Sequence, residues 1–78
     1  MCSFLVLVMD INEKPLQGAL VRIEFTSPER ALSALEYTTV SGVANFRGQA
    51  EGQVKVFVNG KDFGTYYYED NGKITIWT

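Results

Sequence analysis

The adjacent carboxylates of Glu69 and Asp70 are the nearest this sequence comes to a general acid–base pair, and Asp10, Asn12 and Glu13 could donate oxygens to a hard cation. Neither set brings the rest of a site with it. Glu69-Asp70 leads into Asn71-Gly72, where acidic residues are expected as solvated turn formers. The Asp10 cluster lacks the central Gly and the bidentate Glu of a calcium loop, and Asp and Asn favour turns because their side chains bond their own backbone. Histidine is absent, which removes Ser-His-Asp and Cys-His machinery together with the usual proton shuttle near neutral pH. Cys2 is the single cysteine, so an intrachain disulfide and a thiolate metal cluster are both out of reach. No catalytic, cofactor or metal residue is assigned, and the chain reads as a non-enzyme.

Aromatic residues are the remaining candidates. Alternation over residues 54–58 turns Val54, Val56 and Val58 inward and Lys55 and Phe57 outward; over 74–77 it turns Ile74 and Ile76 inward and Thr75 and Trp77 outward. Tyr66, Tyr67 and Tyr68 cannot all be buried, because neighbours on a strand point to opposite sides. If the last three strands form a meander, Phe57, Tyr67 and Trp77 share an outer face, a flat amphipathic patch suited to a protein partner or a sugar ring. The competing account is that aromatics simply cover a small sheet and leave their polar tips in water.

These positions depend on strands. Short segments rich in β-branched and aromatic residues, punctuated by Gly, Pro, Asn and Asp, predict strands over 3–9, 19–26, 35–40, 43–46, 54–58, 62–68 and 74–77. The first is apolar throughout, as expected of a central strand; the second alternates, with Val21, Ile23 and Phe25 opposite Arg22 and Glu24. Asn59-Gly60 is the strongest hairpin signal, Ser41-Gly42 a second two-residue hairpin candidate and Asn71-Gly72 a further turn. Residues 26–35 read as a loop with room for one helical turn, capped by Ser27 with Pro28 in first-turn position. Seven short strands without a covering helix predict an all-β fold: a seven-stranded antiparallel Greek-key β-sandwich, one domain over residues 1–78.

Composition narrows the partners. The chain has 78 residues, 46% of them hydrophobic and 21% charged, with a net charge of −2 and both signs interspersed. No basic stripe exists for nucleic acid. The apolar run at 4–9 is too short for membrane insertion and lacks the charged start of a signal peptide. A Lys–Asn or Lys–Asp cross-link of the pilin and adhesin type needs an amine in an apolar setting; residues 3–9 contain no lysine, and Lys55, Lys61 and Lys73 fall on outward or turn positions. An open sandwich also has edges that invite self-association, with those three lysines as candidate guards.

The stretch VLVMDINEKPLQGALVRIE resembles the opening of carboxypeptidase regulatory-like domains, small transthyretin-like sandwiches, at Asp10, Asn12, Pro15, Leu16, Gly18, Ala19 and Val21. TTVSGVANF continues the pattern with Thr39, Gly42, Ala44 and Phe46, followed by Val54 and Val56, while Val40 stands where the pattern often has an acid. The resemblance implies a transthyretin- or immunoglobulin-like fold and an accessory role, structural or protein-binding, commonly outside the cytoplasm. Related transthyretin-like hydroxyisourate hydrolases depend on histidines that this chain does not have. A strand beginning almost at Met1 is also what a module excised from a longer protein, or stripped of a leader, would show.

Overall fold

Residues 2–25, 33–48 and 51–78 are described by the computed structural model. They form seven strands: β1 (Cys2–Met9), β2 (Leu20–Phe25), β3 (Ser33–Tyr37), β4 (Val43–Gly48), β5 (Gly52–Val58), β6 (Lys61–Tyr68) and β7 (Gly72–Trp77). A three-stranded sheet, ordered β4-β1-β7, packs against a four-stranded sheet, ordered β3-β2-β5-β6. The all-β sandwich is thus as expected. The expected cap at Ser27 and Pro28 lies outside the described residues.

The wholly antiparallel arrangement is not observed. β1 pairs antiparallel with β4 but parallel with β7, so the smaller sheet is mixed. Parallel neighbours need a long connection, and here the connection is almost the entire chain, which builds the rest of the sandwich before β7 returns to β1. Two expected tight pairings are corrected for the same reason. Gly42, at φ +77, turns the chain from β3 in one sheet to β4 in the other, and Asn71, at φ 64, turns it from β6 to β7. Positive φ supplies a sharp turn; which sheet the next strand joins is decided by where its apolar face finds cover.

Among the described residues only Asn59-Gly60 closes a two-residue hairpin, with φ of 51° and 86° as a primed turn requires. It is tied into the sheet as well, because the Asn59 N–H donates to the Leu20 carbonyl (2.8 Å) and its side-chain oxygen accepts the Leu20 N–H (2.9 Å).

Between the sheets lie Phe4, Val6 and Val8 of β1, Val21 and Ile23 of β2, Ala44 and Phe46 of β4, Val54, Val56 and Val58 of β5, and Ile74 and Ile76 of β7. Each fully buried Val or Ile contributes about 1.5–3 kcal/mol of hydrophobic stabilisation. At one end Phe4 stacks between Phe46 (5.9 Å) and Tyr68 (4.4 Å), and Phe25 meets Tyr68 edge-on (5.7 Å). Gly48 admits that ring: a Cβ there would lie 2.8 Å from Tyr68 Cζ and 2.9 Å from Cε2. Cys2 is buried beside this cluster as a free thiol.

The polar stretch after β1 is a crossing between sheets. The Asp10 carboxylate accepts the N–H groups of Asn12 (2.8 Å) and Lys14 (3.0 Å), and the Asp10 N–H donates to the Lys14 carbonyl (2.8 Å). The chain then lies back on β1, with Pro15 bridging Met9 and the Leu16 N–H donating to Val8 (2.9 Å). Thr38 locks its exit. Only 5% exposed, its hydroxyl donates to the Leu16 carbonyl (2.5 Å) and accepts the Ala19 N–H (2.9 Å).

Candidate interaction surfaces

On the outer face of β3-β2-β5-β6 the Arg22 guanidinium sits 4.0 Å above the Phe57 ring and Lys55 lies 6.0 Å from it. Arg22 also pairs with Glu24, and Lys55 approaches Asp62 at 3.9 Å. Phe57 is therefore roofed by cations and half-buried, the usual way a sheet keeps an outward aromatic from water. Tyr67 lies opposite Gln53, whereas Phe57 lies opposite Asp62. Gln53 and Phe57 are four positions apart on β5, roughly 13 Å along the strand. Tyr67 is 55% exposed and its hydroxyl donates to the Glu51 carboxylate at 3.2 Å. Desolvation, then the Glu51 and Glu69 carboxylates, raise its pKa above the ordinary 10.0.

Trp77 is on the other sheet altogether. It projects from β7 beside Met9 of β1, 56% exposed. The last three strands do not form a meander: Phe57 and Tyr67 share the outer face of β3-β2-β5-β6 at a distance, and Trp77 lies on the other sheet, so the three do not make one patch.

The β4-β1-β7 sheet has an outer face that strand parity read one segment at a time does not identify. Leu5, Leu7 and Met9 alternate with the buried Phe4, Val6 and Val8, and so point away from the core. Val43 lies opposite Leu7, and Trp77 opposite Met9, giving an apolar half. Toward the start of β1 the face becomes polar: Arg47 lies opposite Ser3, and Leu5 is flanked by Asn45 and Lys73. Leu5, Leu7 and Met9 do not join the partly buried hydrophobics that pack onto the core. The signal for this face was the unbroken apolar run itself, since alternate residues in a two-layer sandwich have only one core to face.

A groove of about 620 Å³ opens at the polar end. It extends from Asn71 and Gly72 past Ser3 and Leu5 to Asn45 and Arg47, with Ala34 and Glu36 of β3 as its far wall. Chemically, this face offers apolar contact, two cations and several amides. Compared with models of known protein families and with curated protein sequences, the chain matches none.

Proposed function

We propose that this domain is a non-catalytic interaction module that docks a protein partner on the outer face of β4-β1-β7, as an accessory unit of a larger protein or assembly. The observation behind this reading is the asymmetry of the two outer faces. One is crossed by the charged side chains of Arg22, Lys55, Glu24 and Asp62, while the other carries a row of half-buried apolar side chains, Leu5, Leu7, Met9 and Val43, ending at the exposed Trp77. Contiguous apolar surface rimmed by polar groups is what interaction sites have. The resemblance to carboxypeptidase regulatory-like domains supports the same accessory role and supplies the finer Greek-key, transthyretin-like description and the extracellular or cell-surface setting.

A photo-crosslinking residue at Leu7, compared with one at Thr65 on the opposite face, tests the reading in cells of the protein's source. A saturable protein adduct from position 7 alone, lost in Met9→Lys, is expected; equal labelling from both positions, or none, overturns it. The second reading is carbohydrate binding, favoured by the exposed Trp77 ring on the same sheet as the Asn45 amide. Glycan binding that disappears in Trp77→Ala would select it over protein docking.

A further inference from the structure

The four edge strands are protected unequally. β3 turns Glu36 to the same side as the core-facing Ala34, β6 carries Lys61 and a register shift with Gly64 at φ +97, and β7 carries Lys73. Inward charge, lysine and bulges all discourage strand addition. β4 has no inward charge, lysine or bulge, and its one charge is the outward Arg47. Its pairing with β1 is regular from Val43 to Gly48.

The direction of its peptide groups follows from the register. The Val8 N–H donates to Gly42 (2.8 Å), so in the alternating antiparallel pattern Ala44, Phe46 and Gly48 turn their N–H and C=O groups to β1. Asn45 and Arg47 turn theirs outward, while the Val43 carbonyl is already taken by Thr39 (3.0 Å). No described backbone group bonds Asn45 or Arg47 on that side, and the 620 Å³ groove borders it.

We propose that β4 is a self-association edge, pairing antiparallel with β4 of a second copy about a two-fold axis at Phe46. This goes beyond partner docking on the sheet face. Asn45 then exchanges both backbone hydrogen bonds with Arg47 of the other copy, and Phe46 lies across from its counterpart in a close aromatic pair. The register with the axis at Arg47 sets two guanidinium groups opposite each other, and the one with the axis at Asn45 places a rung on Val43, whose carbonyl is occupied. A second copy is the occupant because the open segment is self-complementary: cation faces amide, ring faces ring, and a two-fold axis repeats each contact. The product is a continuous six-stranded sheet.

Sedimentation and amide exchange across a concentration series up to roughly a millimolar test this. The expected result is a concentration-dependent dimer in which the Asn45 and Arg47 amides gain protection. Asn45→Pro removes only an N–H that points away from β1, and is expected to abolish the dimer with circular dichroism unchanged. Independently of whether that variant folds, Asn45→Asp, which faces Arg47 of the second copy, should tighten association roughly two- to ten-fold, and Asn45→Lys should weaken it. A monomer throughout the series, or a dimer indifferent to the charge at position 45, overturns the proposal. Leu7 crosslinking is read separately, so either reading can fail alone.

Discussion

At the scale of single residues, the glycines at positive φ separate backbone need from space. Gly42 (φ +77) and Gly60 (φ +86) both occupy the left-handed region, but a Cβ at Gly42 would fall 2.9 Å from Pro15 Cβ and from the Val8 carbonyl, whereas Gly60 has open space. Gly60→Ala should therefore lose only the conformational preference, about 1–2 kcal/mol, and Gly42→Ala at least that plus the displacement of the crossing loop. Urea unfolding of the pair measures the difference, and equal losses would show that the loop yields freely. Thr38→Val should lose about 1–3 kcal/mol, since it strands the Ala19 N–H and the Leu16 carbonyl; Thr38→Ser should restore most of it. Asp10 was legible as a turn former because its bonds are local, to Asn12 and Lys14. Thr38 was not, because its partners lie about twenty residues earlier in the chain and nothing local marks the hydroxyl as buried.

At the scale of elements, strand positions were legible and strand partners were not. Alternation located the inward faces of β2, β5 and β7, and the asparagine of each Asn-Gly turn is at positive φ. Yet the same dipeptide closes a hairpin at 59–60 and a sheet-to-sheet crossing at 71–72, since turn chemistry fixes local bend and leaves the destination to distant apolar surfaces. The aromatic site failed on that point. Lys55, expected at an edge, lies on the interior strand β5 and screens Phe57 instead. The two sides of β1 give a direct check: Val6→Ala should destabilise by about 2 kcal/mol and Leu7→Ala by under about 1 kcal/mol, measured by thermal or urea unfolding. Comparable losses would mean that the outer face is covered. The stack joining β1, β4 and β6 adds a pH signature. Burial, with a smaller part from Cys2, raises the Tyr68 pKa above 10.0. The folded state thus keeps a proton that the unfolded chain gives up first; stability from this group is complete below pH 10, and falls as pH rises through the folded value. Tyr68→Phe should flatten that alkaline decline, and an unchanged slope would exclude Tyr68 as its source.

At the scale of the whole molecule, the order of assembly follows from how far apart in sequence the pairings lie. β5 and β6 are joined by two residues whose conformations already favour the turn, whereas β1 meets β7 across nearly the full chain, where the Asp70 carboxylate accepts the Ser3 N–H (2.9 Å) and the Asn71 N–H donates to the Ser3 carbonyl (2.6 Å). Closing that loop requires the ordering entropy before any contact returns it. The β5–β6 hairpin with β2 laid against it is therefore the expected nucleus, and the parallel β1–β7 seam the expected last step. Val56→Ala, in the hairpin and against Ile23 of β2, should slow folding, with most of its stability loss in the folding rate. Ile76→Val, with a loss of about 1 kcal/mol, should leave the folding rate nearly unchanged and speed unfolding instead. Chevron kinetics on the two variants decide the matter: a larger folding-rate effect from Ile76 than from Val56 would place the long-range seam in the transition state and reverse this order. The same sequence explains why an unguarded β4 matters, because β4 gains its β1 partner only as the smaller sheet forms and keeps an open edge afterwards.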